Sequence, residues 1–193
     1  MTDRERWETR HGDAHGAPLG APSAWVMSCA LSLSARDLIV DLAAGRGRHA
    51  VPLARAGRRV VAVDIVSSAL AESRAVSHVD LVAADASMLP FRDGSIDAVV
   101  CVNFLDRAGF ARLSSLLRGG GTAIIETFTV AQRTLGRGPT SDAHLLRRDE
   151  LPSLLAPLVM LEYREGLVRD DAGERYVARA MAMKEAKAKP RAQ

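Results

Sequence analysis

The amino-acid sequence predicts an α/β protein, an open parallel sheet with helices on both faces. Two features predict it. Short apolar runs alternate with segments of helical spacing, and the runs end at polar residues, Asp41, Asp64, Asp85 and Asn103, where a parallel sheet would present its carboxyl edge.

The first 23 residues are rich in Gly, Pro, His and charge and read as a loose arm with short helical pieces. Ile39-Val40, too short for a helix face, begins the first strand, which stops at Asp41 and enters a small-residue loop before a second apolar stretch of helical spacing. Arg59 to Ile65 reads as a parallel strand buried on both faces, and Ser67 to Ala75 as the helix after it. Val79 to Asp85 and Ile96 to Asn103 repeat the strand pattern.

Ala108 to Leu117 predicts a helix ended by Gly119-Gly120-Gly121, and Thr122 to Phe128 the fifth strand. A polar stretch from Thr129 to His144 leads to a short helix near Asp149 to Leu155. Val159 to Arg164 and Glu174 to Met183, joined by a turn through Asp170 to Gly173, then read as a hairpin of long strands. At 193 residues, 48% of them hydrophobic, the chain can bury one α/β core but hardly a second. The expected organisation is an arm over 1–23, one domain over 24–183 and a charged, disordered tail over 184–193.

The loop after the first strand, Asp41-Leu-Ala43-Ala-Gly45-Arg-Gly47-Arg-His-Ala50, carries the functional signal. Gly45 and Gly47 allow a sharp bend and a close approach of backbone to ligand. Gly45-x-Gly47-x-x-Ala50 also fits the dinucleotide pattern, with Asp64 about 20 residues on as its ribose-binding acid. Asp41 argues against a dinucleotide, because a carboxylate at that strand tip repels a pyrophosphate and attracts an ammonium or sulfonium. S-adenosylmethionine carries both cations and no phosphate. Asp41 would then face its methionine end, directly or through water, Asp64 its ribose, Asp85 the exocyclic amine of its adenine, and Ile65 one face of the purine.

These residues resemble class I S-adenosylmethionine-dependent methyltransferases. Their first motif resembles [DE]-x-G-x-G-x-G, with Ala43 here in place of the first glycine. The resemblance implies a Rossmann-like, mostly parallel seven-stranded sheet, closed by the antiparallel C-terminal hairpin with one of its strands inserted next to the fifth. It gives Gly45 and Gly47 the methionine portion, Asp85 with Ala86 the adenine, and Asn103 a place beside the sulfonium. Trp7-Glu-Thr-Arg10, Val102 to Arg107, Glu126-Thr-Phe128 and Leu145 to Leu151 are similar to segments of small bacterial methyltransferases of the tellurite-resistance type. In such enzymes an arm closes over the cofactor, a role that would fall here to Trp7 and Arg10.

The activity implied is in-line transfer of a methyl group to a small acceptor, with S-adenosylhomocysteine as product. Positioning alone can contribute on the order of 7–11 kcal/mol to such a step. If the acceptor must lose a proton, Glu126 and Asp106 are the candidate bases near the sheet edge. Phe104, Phe128 and Arg107 follow strand ends where an acceptor would lie, and with Trp7 they make the expected substrate pocket. An NAD(P)-binding oxidoreductase and a cofactor-binding protein without transferase activity are the alternative readings.

A net charge of +3, with arginines spread among acids, excludes a basic nucleic-acid face. The three lysines, Lys184, Lys187 and Lys189, all lie in the final ten positions. No apolar segment approaches membrane-spanning length and no signal peptide is recognisable, so a cytoplasmic monomer or homodimer is expected. Cys29 and Cys101 are isolated thiols without metal-ligand spacing. His11 and His15 are four apart, but their glycine neighbours and the missing third ligand speak against a metal site, and none is expected. His49 and His144 stand alone in the sequence.

Overall fold

The computed structural model describes residues 5, 7–9, 12, 18–171 and 173–186. In these residues the chain runs α1 (Ala24–Ser32), β1 (Leu38–Leu42), α2 (Ala50–Arg55), β2 (Arg59–Asp64), α3 (Ser67–Leu70), β3 (Val79–Ala83), β4 (Ile96–Val102), α4 (Arg107–Leu116), β5 (Leu117–Phe128), α5 (Glu150–Leu155), β6 (Val159–Asp170) and β7 (Gly173–Met183). Among the described residues seven strands form one sheet in the order β3-β2-β1-β4-β5-β7-β6. The pairings from β3 through β5 are parallel, and β7 lies antiparallel between β5 and β6. One hairpin strand, β7, is thus inserted next to the fifth, as the family resemblance implies.

Successive side chains of a strand point to opposite faces, and the two faces have separate cores. Val40, Leu42, Val99, Cys101 and Ile125 pack with Phe110, Leu113 and Leu116 of α4 and Leu151 and Leu155 of α5. Ile39, Ala62, Val100 and Ile124 pack with Val26 and Ala30 of α1 and with Ala50 and Leu53 of α2. Helices therefore cover both faces and leave the carboxyl edge of the parallel strands for the loops.

Three local differences from the sequence reading have physical causes. The segment Ser67 to Ala75 is not one helix: α3 is short and passes into a 3₁₀ turn at Ala71–Ser73. Ser73 there donates to the Arg46 carbonyl at 3.2 Å, and Glu72 pairs with Arg46 at 2.6 Å, so the turn follows the glycine loop. The triple glycine lies within β5, because Leu117 already pairs with Ile96. A Cβ at Gly121 would sit 2.9 Å from the Arg118 carbonyl oxygen and 3.0 Å from that of Asp97, so only glycine lets this stretch stay beside β4. Helix α1, Ala-Trp-Val-Met-Ser-Cys-Ala-Leu-Ser, is apolar nearly all round and shows no one-sided stripe, so periodicity does not announce it. Its cap is the Ser23 hydroxyl, which accepts from the Val26 amide.

Candidate functional site

At the carboxyl edge, the tips of β1 to β5 and the segment before α5 enclose a cleft of about 780 Å³. That is toward the upper end of small-molecule sites, which run about 300–1,000 Å³. A second depression, of about 470 Å³ against the hairpin, is lined by groups that satisfy one another, such as Tyr163 donating to Glu165 at 2.6 Å.

The first loop shapes one wall. Ala43 takes φ 56° and Gly45 φ 55°, left-handed conformations that turn the chain sharply after β1. The Gly45 amide donates to Asp64 Oδ2 at 2.8 Å, and the Val66 amide to Asp64 Oδ1 at 2.9 Å. The tip of β2 thereby fixes the loop from β1 while Asp64 itself lines the cleft. Ala43, Gly45 and Ile65 line it too.

At the tip of β3, Asp85 caps a 3₁₀ turn: its Oδ1 accepts from the Ser87 amide and hydroxyl, both at 2.8 Å. Those two bonds hold its carboxyl below the ordinary range. Ala86 and Ser87 continue this wall. At the tip of β4, Asn103 adopts φ 58°, and its amide nitrogen donates to the Glu126 carbonyl at 2.8 Å. Its side-chain Oδ1 is buried with no hydrogen-bond partner among the described residues, on a residue of the cleft wall. An unpaired buried acceptor costs about 1–3 kcal/mol unless a ligand or water satisfies it.

Trp7, Phe104, Asp106 and Phe128 also line the cleft. Asp106 Oδ1 accepts from the Ala108 amide at 3.1 Å and so caps α4. The structure thus brings together Trp7, Ala43, Gly45, Asp64, Ile65, Asp85, Ala86, Asn103, Phe104, Asp106 and Phe128. Arg10, like His11 and His15, lies outside the described residues.

Four expected site residues stand elsewhere. Asp41 is 2% exposed and off the cleft wall; its Oδ2 accepts from the Ala50 amide at 2.9 Å, fixing the start of α2. Burial pushes its carboxyl up to about 7. Gly47, at φ 86°, turns toward the 3₁₀ segment, where an added Cβ would lie 2.1 Å from Ser73 Oγ. Its smallness serves loop packing rather than contact with a ligand.

Glu126 is corrected from candidate base to core ion-pair hub. It is 0% exposed: Oε1 accepts from Arg175 at 2.8 Å, and Oε2 from Arg179 and the Ser23 hydroxyl, both at 2.7 Å. A carboxylate held by two guanidiniums and shut off from the cleft has no route to an acceptor's proton. Arg107 is corrected from pocket residue to clamp. Its guanidinium binds both oxygens of Glu150, at 2.7 and 2.9 Å, and donates to the Leu145 carbonyl at 3.0 Å and the Asp142 carbonyl at 3.3 Å.

Three groups that spacing does not reveal matter here. His49, inside the loop, accepts from the Ser23 amide through Nε2 at 3.0 Å. Burial, with the nearby charges of Arg48 and Arg175, lowers its pKa to about 3, so the ring is neutral. Arg48 is itself held below its ordinary pKa by burial and by Arg175. His144 lines the cleft, brought there by a parallel bridge between Thr129 and Leu146.

A family profile described as a methyltransferase domain matches residues 39–121, the span from β1 into β5. Over 111 residues, 55% of this chain, it is 38% identical to a demethylmenaquinone methyltransferase of Mycolicibacterium vanbaalenii and covers 48% of that protein. The chain spans about half the length of the curated relatives it matches. Among solved structures, the methyltransferase fold recurs in TehB from Haemophilus influenzae, with TM-score 0.69 and 18% identity over 93% of this chain and 67% of that one. It recurs also in the 1,6-didemethyltoxoflavin-N1-methyltransferase of Burkholderia thailandensis, solved with bound 1,6-didemethyltoxoflavin and S-adenosylhomocysteine. That match has TM-score 0.67 and 21% identity, covering 94% and 87% of the two chains. The architecture is the Rossmann-like one these structures share, a parallel sheet with an antiparallel C-terminal pair.

Proposed function

We propose that the protein transfers a methyl group from S-adenosylmethionine to a small acceptor held in the same cleft. The observation that carries this reading is the convergence of Asp64, Asp85 and Asn103 on one cavity beside the Gly45 turn. That set fits a cationic nucleoside: two carboxylates to accept from hydroxyl and amine groups, and an uncharged polar side chain at the tip of β4 for the methionine end. It does not fit a diphosphate, which these carboxylates would repel.

In this reading Asp64 binds the ribose, Asp85 with Ala86 the adenine edge, Ile65 the purine face, and Gly45 the methionine portion. Asp41 acts from behind, holding the loop through Ala50. When bound, the cofactor supplies an activated methyl on a good leaving group. The chain's contribution is alignment and exclusion of water by Leu105, Phe104 and Phe128. A relative named demethylmenaquinone methyltransferase and a structural neighbour named 1,6-didemethyltoxoflavin-N1-methyltransferase support the reading.

The test is a thermal-shift comparison. S-adenosylhomocysteine at 100 times its Kd should stabilise by about 2.7 kcal/mol, and NAD at equal concentration by nothing measurable. Stabilisation by NAD alone would replace this reading with the oxidoreductase one.

A further inference from the structure

Besides Asp64 and Asp85, the cleft is walled by Phe104, Leu105, Phe128 and Pro139, with His144 and Asp106 among its polar groups. Among the described residues no lysine or arginine lines the cleft. We infer that His144 is the base that takes the acceptor's proton, and that the acceptor is an uncharged flat ring bearing a weakly acidic hydroxyl. This rests on the methyl-transfer reading above.

Charge decides the substrate class. An anionic acceptor would have to leave water for a cleft that holds the carboxylates of Asp64, Asp85 and Asp106 and offers no cation among its described lining residues. A neutral hydroxyl meets no such penalty, and aromatic walls favour a flat ring that stacks on them. A neutral hydroxyl is, however, a poor nucleophile until its proton leaves. Asp106 already uses one oxygen to cap α4, and Glu126 is sealed in the core. Among the described residues the His144 imidazole makes no hydrogen bond; it is half-buried on the cleft wall, and imidazole is the side-chain type suited to general-base work.

The position of His144 is secured by the Arg107 clamp. It sits on the 3₁₀ turn Asp142–His144, and Arg107 donates to the carbonyls of Asp142 and Leu145, on either side of it. Glu150 holds Arg107 with both oxygens and accepts from the Arg147 amide at 2.8 Å. On the other side Leu146 donates to the Phe128 carbonyl at 2.9 Å, which ties the turn to the tip of β5. The charged groups on its own turn and on the helices that clamp it, among the described residues, include Asp142, paired with Arg133, Arg107 and Asp106 at the start of α4, and Glu150 on α5. Arg107 is thus a positioning residue and His144 a catalytic one.

The step balances without a further reactant. The acceptor oxygen forms a bond to the methyl carbon as the carbon–sulfur bond breaks. That bond's electron pair stays on sulfur, giving a neutral thioether, and the hydroxyl proton passes to His144 and then to solvent.

A matched pair of probes, 2-naphthol and 2-naphthoate, differs in charge with the ring held constant. Binding of each to protein saturated with S-adenosylhomocysteine is measured first by calorimetry, which needs no variant. The expected result is at least tenfold tighter binding of 2-naphthol. Equal binding, including none of either, or preference for 2-naphthoate overturns the inference. Turnover of S-adenosylmethionine with 2-naphthol should rise with pH through the neutral range. His144→Gln should lower it by on the order of 100-fold and flatten that profile, with affinity for S-adenosylhomocysteine unchanged. Arg107→Ala should lower kcat by about tenfold at unchanged cofactor KM, and Arg107→Lys should restore part of it. A His144→Gln enzyme with wild-type rate and profile overturns the base assignment. Failure of S-adenosylhomocysteine itself to bind would overturn the cofactor reading as well, so the two failures are distinguishable.

Discussion

The Gly45 amide donates to Asp64 Oδ2 at 2.8 Å, so the acid at the tip of β2 is also the anchor of the loop that leaves β1. The carboxylate therefore has two tasks, setting the loop and presenting charge to the cleft. Asp64→Asn removes the charge at unchanged size, and its single carbonyl oxygen still accepts from one of the two amides, Gly45 or Val66. We expect affinity for S-adenosylhomocysteine to fall about 10- to 100-fold, equivalent to about 1.5–3 kcal/mol, with a smaller change in unfolding free energy. Isothermal titration of the variant with unchanged affinity would place the ribose elsewhere.

Glu126 joins α1, β5 and β7 through Ser23, Arg175 and Arg179. Removing one partner from a buried ion pair typically costs about 3–5 kcal/mol, because the others stay buried and uncompensated. Glu126→Ala should lose that much in urea unfolding, while cofactor affinity in the folded variant changes little. A loss of cofactor binding without a loss of stability would return Glu126 to the site.

Asp41 and His49 shape the pH dependence of stability in opposite directions. Asp41 rises from 3.8 to about 7 on folding, so over that window the native state holds a proton the unfolded chain has lost. Its contribution is present below the unfolded value and is lost as pH rises toward 7. His49 falls from 6.5 to about 3, so there the unfolded chain holds the extra proton, and its contribution is lost as pH falls from 6.5 toward 3. The two slopes oppose each other where the windows overlap. Asp41→Asn should unmask a stability that rises with pH between about 4 and 6.5, and His49→Gln one that falls, each by on the order of 1–4 kcal/mol. Denaturation midpoints measured across that range would refute this if both variants tracked the wild type.

Gly47→Ala places a Cβ 2.1 Å from Ser73 Oγ on a backbone at φ 86°. The strained backbone alone costs of order 1–3 kcal/mol. Adding Ser73→Ala removes the nearest clashing atom but not the strain, so the double variant should regain part of the loss and not all of it. Full additivity of the two changes in a thermal melt would show that the hydroxyl moves aside freely.

Much of the fold was legible because it follows from local pattern. Val60 to Val63 and Ala98 to Cys101 are apolar runs that only a strand buried on both faces accommodates, and such strands need helices between them. The hairpin insertion was legible only through the family resemblance, since pairing order is not written in spacing. Within the site, Asp64, Asp85 and Asn103 were legible because each ends an apolar run at the sheet edge. Arg107 and Glu126 lie in equally suggestive positions, yet their partners are 43 and 49 residues away, at Glu150 and Arg175. Nothing local records those pairings.

By itself, the sequence determined the layered architecture and the carboxyl edge at which chemistry gathers, because strand and helix periodicity are properties of neighbouring residues. Only the tertiary structure decided which charges at that edge face the cavity and which face one another. Asp64 and Asp85 line the cleft, Glu126 is sealed between two guanidiniums, Asp41 is turned behind the loop, and His144 is brought to the wall by a clamp from two helices. Burial and ion pairing are set by residues distant along the chain, and they fix whether a carboxylate or imidazole is free to act.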